Sequence, residues 1–481
     1  MGNDLKNKAV SGIKWTSIYT ALSGVSGVLS KFVFAMILAP GEYAYIAVLS
    51  LFTGLSNQIT SMGLGEAILQ RDKISHNELS SIYIFEVIVT FLVTILLIVF
   101  APIIENYYGY GDLIELLFFT SLTIFFSGIS NIFRIYLQKH LLFKWVTIAN
   151  MIKLAANTLV TIVLMLNIGI YGYVYGYLLG AVLYLILVAF YAFTKTDLRL
   201  KLHFKLSEII PMVKYGFFIS AKQLFTFFAS RIDEIIIGGF LSSEALGIYY
   251  FAKDLINRPQ SLITQSFAQV VLPVFSKLKD EFGRLSNVYA KSSRYIALFA
   301  VPIFMGIAVT AELYVPLLFG EEWVASIVPI QIFSITGILL VLTANFSTSL
   351  LYALNQPNKV LYIEIITNVV YFAILFLTSR FGMYYILVTY VLYIGMKTLS
   401  LQILVSKNLH YSMYDYLKGL STVFILSIMM TIAVKLSIEF LVFTNLWLTL
   451  IISIIIGVIV YLILIFKFER ETVEGIIALV K

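Results

Sequence analysis

Residues 82–101 read Ile82-Tyr83-Ile84-Phe85-Glu86-Val87-Ile88-Val89-Thr90-Phe91-Leu92-Val93-Thr94-Ile95-Leu96-Leu97-Ile98-Val99-Phe100-Ala101. A helix of about 20 residues rises roughly 30 Å, the thickness of a bilayer's hydrocarbon core, so a run this long with a single charge predicts a membrane span. Similar windows fill the chain on both sides. Candidate spans lie at 13–39, 43–65, 79–102, 113–137, 145–167, 170–193, 209–240, 246–275, 290–318, 326–353, 360–378, 382–406, 416–440 and 445–466. The seventh and eighth hold so many charges that a hydropathy threshold alone passes them over. Composition agrees with the windows: 481 residues are 60% hydrophobic and 12% charged, against roughly 45–50% and about 25% in soluble domains. Mean hydropathy is +0.94. The expected fold is an all-α integral membrane protein of about 14 transmembrane helices.

Loop charge tests the count independently, because cytoplasmic loops collect Lys and Arg. The amino-terminal segment holds Lys6 and Lys8. Alternate loops then carry Arg71 and Lys73; Lys139 and Lys144; Lys195, Arg199, Lys201 and Lys205; Lys277, Lys279, Arg284, Lys291 and Arg294; Lys359; and Lys407 with Lys418. The intervening loops contain Arg380 and are otherwise acidic, with Glu105, Asp112, Glu244, Glu321 and Glu322 in or beside them. An even number of spans with both termini cytoplasmic follows. The basic flank of the first apolar stretch is like that of a signal peptide, but its length and Lys31 mark it as a retained helix.

An internal repeat of about 204 residues, measured between matching segments, divides the chain. Leu38-Ala39-Pro40-Gly41-Glu42-Tyr43-Ala44-Tyr45 leaves span one as Leu241-Ser242-Ser243-Glu244-Ala245-Leu246-Gly247-Ile248 leaves span seven. The expected organisation is an N-terminal lobe over 1–205, a second six-helix lobe over 206–410, and a terminal helix pair with a cytoplasmic tail over 411–481. Six spans being even, the lobes share an orientation and are expected around a central cavity, related by an axis along the membrane normal.

Lys14, Lys214 and Lys435 lie near span ends, where a long side chain reaches water. Lys31, Arg134, Lys153, Lys222, Arg231, Lys253, Arg258 and Lys397 lie deeper. Facing lipid, these would together cost on the order of 20–28 kcal/mol, beyond the usual net stability of a protein. They must face water or opposite charge. Helical spacing gathers them into stripes: Asn131, Arg134 and Gln138; Asn150, Lys153 and Asn157; Asp254, Arg258, Ser261 and Gln265; Gly24, Gly27 and Lys31.

Two readings stand for several of these bases. Arg258 pairs with Asp254 four residues back or faces a cavity; Arg134 snorkels or faces a cavity; Arg231 pairs with Glu234 or does not; Lys253 is close to the external end. Lys31, Lys153 and Lys222 have no obvious partner in their own helix. The bases outnumber the intramembrane acids Glu86, Asp233, Glu234, Asp254 and Glu364, which implies an anionic cargo. The candidate substrate-binding set is therefore Lys31, Lys153, Lys222, Arg231, Lys253, Arg258 and Arg134. Transport without ATP needs a coupling proton or sodium ion, and the candidates for it are Asp233, which shares a helix face with Lys222, Glu364, which has Asn368 one turn on, and Glu86, which aligns with Thr90 and Thr94.

Several function classes are excluded. There is no cysteine, and the histidines His76, His140, His203 and His410 all lie in connecting segments, so no metal site or cofactor is expected. No Gly-Lys dipeptide occurs, which removes a phosphate-binding loop of the ATPase type. Connections are too short for the soluble catalytic domain of a membrane glycosyltransferase or polymerase, so the chain is expected not to be an enzyme. The net charge of +7 sits in short loops between spans, which argues for membrane orientation and against nucleic acid.

From residue 5 to about 360 the chain resembles the polysaccharide flippases (Wzx-type, colanic and teichuronic acid exporters) of the multidrug/oligosaccharidyl-lipid/polysaccharide (MOP) superfamily. The resemblance rests on Ala9-Val10-Ser11-Gly12-Ile13-Lys14-Trp15, Gly63-Leu64-Gly65-Glu66-Ala67-Ile68-Leu69-Gln70-Arg71, Arg231-Ile232-Asp233-Glu234-Ile235-Ile236-Ile237-Gly238, Leu272-Pro273-Val274-Phe275-Ser276-Lys277, Gly320-Glu321-Glu322-Trp323 and Ala353-Leu354-Asn355-Gln356-Pro357. It implies a two-lobed fold, alternating access, and a place in the cell (inner) membrane. It also implies a cargo, an undecaprenyl-diphosphate-linked oligosaccharide for O-antigen-like surface polysaccharide, whose pyrophosphate meets the cationic cavity. Partners in that setting are membrane lipids, a polysaccharide polymerase and glycosyltransferases. A lipid II flippase, which the last two spans would suit, and an ion-coupled multidrug antiporter of the same superfamily stay open as alternatives.

Overall fold

The structure, a computed structural model, describes residues 2–61, 64–71, 74–441, 445–470, 472 and 474; the side chains of residues 2–9, 61, 66, 67, 70, 215, 217–219, 222 and 270 lie outside that description. All regular elements among the described residues are helical. The chain divides into two compact units, Met1–Gly247 and Ile248–Lys481.

The first unit contains α1 (Gly2–Ile37), α2 (Pro40–Ser61), the short α3 (Leu64–Gln70), α4 (His76–Tyr108), α5 (Leu113–Lys139), α6 (Phe143–Ala155), a π-helical turn over Ala156–Val160, α7 (Thr161–Ile168), α8 (Ile170–Lys195) and α9 (Leu206–Phe240). α10 (Ser243–Lys277) begins in this unit. The second unit continues with α11 (Phe282–Phe319), a 3-10 turn over Glu321–Ser326, α12 (Ile327–Leu339), a second π-helical turn over Leu340–Asn345, α13 (Phe346–Ala353), α14 (Pro357–Thr378), α15 (Met383–Leu409), α16 (Met413–Phe440) and α17 (Leu446–Phe468).

Each window read from the sequence lies mainly on helix among the described residues, with residues 62–63 of the second window outside them. Eleven helical stretches among the described residues are long and apolar enough to cross a membrane. α9 and α10 fall outside that set, as their charges foretold. So does α2, whose Ser56-Asn57-Gln58-Ile59-Thr60 stretch lowers its hydropathy.

α4 explains how such helices are built. Ser75 and Glu78 form a capping box, each side chain bonding the other residue's backbone N–H, so the helix starts at His76 with two orphan donors satisfied. Along its length Ile82, Glu86, Thr90, Thr94, Leu97 and Ala101 are buried, whereas Phe91, Leu92, Leu96, Val99 and Phe100 are exposed. The polar residues point inward and the large apolar ones outward, because the solvent around the bundle is hydrocarbon.

Small residues let neighbouring helices approach. Gly172, Gly176 and Gly180 line one face of α8 against the preceding span. A Cβ at Gly172 would come within 2.3 Å of the Met165 backbone N, and one at Gly176 within 2.0 Å of Thr161 Oγ1. A hydrophobic core cluster within the unit includes Ile68, Leu137, Val188 and Ile209.

Within the second unit α16 and α17 both pack on α11. Lys435 of α16 reaches Glu312 at one end of α11 (2.7 Å), and Arg294 at the other end bonds the buried Glu469 just past α17. Tyr416 of α16 donates to the Leu342 carbonyl of the π turn at 2.8 Å.

Local geometry recurs in the two units, at an offset of 213–214 residues rather than about 204. After α5 the Leu142 N–H bonds the Leu137 carbonyl with Leu141 at φ 57°, and after α13 the Gln356 N–H bonds the Leu351 carbonyl with Asn355 at φ 57°. These are the same left-handed helix-ending turn. Gly169 before α8 and Gly382 before α15, both at positive φ, are a second matching pair.

Candidate functional site

In the first unit α4 and α5 place a carboxylate, an amide and a guanidinium in one chain of hydrogen bonds. Buried Glu86 accepts at Oε1 from Asn131 Nδ2 (2.5 Å). Arg134 donates to Asn131 Oδ1 (2.5 Å) and to Gln138 Oε1 (3.1 Å). The stripe Asn131, Arg134, Gln138 is thus a continuous network ending on Glu86. Charge-assisted bonds of this kind offset the desolvation of an intramembrane ion.

Lys153 of α6 sets its Nζ 5.0 Å from the ring centroid of Tyr184 on α8, within electrostatic reach of Arg134. A desolvated ammonium over an aromatic face is stabilised by the ring quadrupole. The structure therefore brings Glu86, Arg134 and Lys153 together. Asn157, the third member of the Lys153 stripe, lies in the π turn. Its Oδ1 is buried against Gly180 of α8 without a hydrogen-bond partner among the described residues. The wider turn changes the alignment that a 3.6-residue period assumes.

α9 packs on α2, α3 and α4. Its end fits α4 closely: Tyr107 donates to the Ile235 carbonyl (3.2 Å), and Gly238 and Gly239 lie against Tyr108 and Tyr107. On this helix Arg231 pairs with the buried Glu234 at 2.8 Å, and buried Asp233 accepts the Glu234 backbone N–H at 2.9 Å. Lys31 is half-buried on α1. The Lys222 side chain lies outside the described residues.

In the second unit Lys253 is buried on α10, its Nζ 5.7 Å from the Tyr249 ring, and Arg258 stands 4.0 Å from Asp254 one turn back. Pro259 and Pro273 remove two N–H donors from the same helix. On α14 Glu364 meets Lys397 of α15, Oε1 to Nζ 3.3 Å. Asn368 donates to the Glu364 backbone carbonyl (2.7 Å) and accepts from Tyr393 (3.1 Å), whose ring stacks on Tyr371 with centroids 4.3 Å apart. The amide thus serves the backbone, and an ammonium holds the carboxylate.

The pairing of Glu364 with Lys397, the bridge through Asn131 and the seat on Tyr184 were not read from the sequence. A signal existed. In an antiparallel hairpin, residues equally far from the turn lie at equal depth. Glu86 and Arg134 are equally far from Tyr110, Lys153 and Tyr184 nearly so from Gly169, and Glu364 and Lys397 nearly so from Phe381.

Inward-turned charges on a membrane scaffold whose described residues form only helices fit the class of membrane transporters. Residues 33–328 match the polysaccharide biosynthesis protein family. The chain is 26% identical over 370 residues to teichuronic acid biosynthesis protein TuaB of Bacillus subtilis (strain 168), covering 74% of each chain. It is 24% identical over 340 residues to lipopolysaccharide biosynthesis protein WzxC of Escherichia coli (strain K12), covering 70% of this chain and 68% of that one. Its fold is similar to that of the lipid II flippase MurJ in an inward closed conformation, with TM-score 0.75 and 17% identity over 96% of this chain and 100% of that chain. The chain belongs to the polysaccharide biosynthesis protein family.

Proposed function

We propose that the protein moves undecaprenyl-diphosphate-linked oligosaccharide repeat units from the cytoplasmic to the outer leaflet of the cell's inner membrane, for assembly of a surface polysaccharide. Fourteen spans with both termini cytoplasmic form two lobes, 1–205 and 206–410, that alternate in access, with 411–481 as an added pair. Lys31, Arg134, Lys153, Lys222, Arg231, Lys253 and Arg258 act as a diffuse anion site for the diphosphate. The observation that carries this reading is the surplus of intramembrane bases over acids in a member of this family. The named relatives, which serve teichuronic acid and lipopolysaccharide biosynthesis, support an acidic glycan or glycolipid cargo. A polysaccharide polymerase and glycosyltransferases are its partners in that assembly.

Each cation near a diphosphate contributes on the order of 1–3 kcal/mol through charge-assisted hydrogen bonds. Alanine at Lys31, Lys222, Arg231, Lys253 or Arg258 is expected to reduce exported polysaccharide at normal expression. Lysine replaces Arg231 and Arg258 poorly because it cannot bind bidentately. Wild-type export in all five alanine variants would sink the anion site. Asp233 and Glu364, with Glu86 as a third candidate, couple transport to a proton or sodium gradient. Vesicles with an imposed gradient test this: undiminished stimulation in both Asp233→Asn and Glu364→Gln removes those two from the mechanism.

A further inference from the structure

Lys144, in the first turn of α6, lies with Nζ 5.3 Å from the Trp145 ring and 5.8 Å from the Trp15 ring of α1. Lys195, in the last turn of α8, lies 5.1 Å from the same Trp145 ring, which also stands 4.6 Å from Tyr191. Two exposed ammonium groups therefore share one indole. Cation–π attraction holds each in place but leaves both charges uncancelled. Among the described residues no carboxylate lies within ion-pair distance of either lysine. The nearest acid in sequence, Asp197, accepts from Tyr136 (2.9 Å) and faces His140 and His76. The α6 N-terminus beside them starts at Leu142 without a side-chain cap, which adds positive potential.

The surroundings specify what kind of anion fits. Tryptophan, tyrosine and lysine at the ends of apolar helices mark the membrane–water boundary. Ile152 and Leu159, on the span of α6 and α7 that opens with Lys144, are exposed. A ligand that fills the patch carries a phosphate at the boundary and acyl chains along that apolar strip. We propose that Lys144 and Lys195, framed by Trp15 and Trp145, form a binding site for the phosphate headgroup of an anionic glycerophospholipid of the surrounding leaflet. This site is separate from the cargo site and does not rest on the cargo's identity.

The full chain in phosphatidylcholine vesicles provides the test, with brominated phosphatidylglycerol or brominated phosphatidylcholine as a minority component quenching tryptophan fluorescence. Brominated phosphatidylglycerol is expected to quench more at equal content, with each lysine contributing about a fivefold preference at moderate ionic strength. Lys144→Gln with Lys195→Gln abolishes the preference, and Lys214→Gln, at an exposed lysine on α9, leaves it unchanged. Trp323 and Trp447 contribute alike to wild type and variant and cancel in the comparison. Equal quenching by both lipids in wild type, or a preference that survives the double substitution, overturns the proposal. Unbrominated undecaprenyl diphosphate that removes the quenching at far lower content than phosphatidylglycerol also overturns it, by assigning the patch to the isoprenoid. If the double glutamine variant does not fold, Lys144→Arg with Lys195→Arg must retain the preference, and its loss there counts against the site.

Discussion

Lys397 Nζ of α15 stands 3.3 Å from Glu364 Oε1 of α14, so the carboxylate of one span is already held by an ammonium from the next. A cation that bound Glu364 would compete with this ammonium for the same oxygens. Lys397→Gln is therefore expected to expose Glu364 to sodium, giving a sodium-dependent rise in melting temperature that Glu364→Gln with Lys397→Gln lacks. Without sodium, either single variant leaves a partly buried charge unpaired and costs on the order of 1–3 kcal/mol, less than a fully buried pair would. The double variant recovers part of that loss. Melting curves in detergent, with and without sodium, check both parts.

The α8 glycine face allows no side chain. Gly172→Val drives a Cβ toward the Met165 backbone, which cannot rotate away as a side chain could. Such overpacking costs about 1–3 kcal/mol or more. Gly283→Ala, where nothing lies within 4 Å, is expected to be close to neutral. A thermal melt comparing the two variants is sufficient, and equal melting temperatures would contradict the close contact.

Asp197 follows α8 and is largely exposed. The Tyr136 hydroxyl, then the residue's own backbone N–H and, to a lesser degree, His140 and His76, hold its carboxyl below the usual aspartate range. A depressed carboxyl stabilises the folded arrangement above its unfolded pKa of about 4, and that contribution is lost as pH falls through the folded value. The 196–205 segment is therefore expected to resist pepsin near pH 4 and to be cut as pH drops further. Tyr136→Phe removes the largest cause, so cleavage should begin at higher pH. An unchanged pH profile in that variant would show that the hydroxyl does not set the carboxyl.

Orientation can be checked directly because the chain has no cysteine. Single cysteines at Glu105 or Glu322 are expected to react with an impermeant reagent outside intact cells, and those at Lys201 or Lys279 are not. Labelling at Lys201 from outside would reverse the topology.

By itself the sequence determined that the chain is helical and built for a membrane, and where its helices run. That information is local: about 20 residues suffice to decide between water and hydrocarbon, and Glu86, Thr90 and Thr94 declare their common face by spacing alone. The tertiary structure decided which charge meets which. Spacing alone sets Asn368 one turn from Glu364, but the rotation and adjacency of α14 and α15 placed the carboxylate against Lys397 and turned Asn368 toward the backbone and Tyr393. Asn157 shares a periodic stripe with Lys153, but a π turn set it against Gly180, a contact possible only because α8 presents glycine there. Helical periodicity fixes a residue's angle around its own axis; its partner depends on which neighbouring helix packs there and how closely, which is settled by contacts between segments distant in sequence.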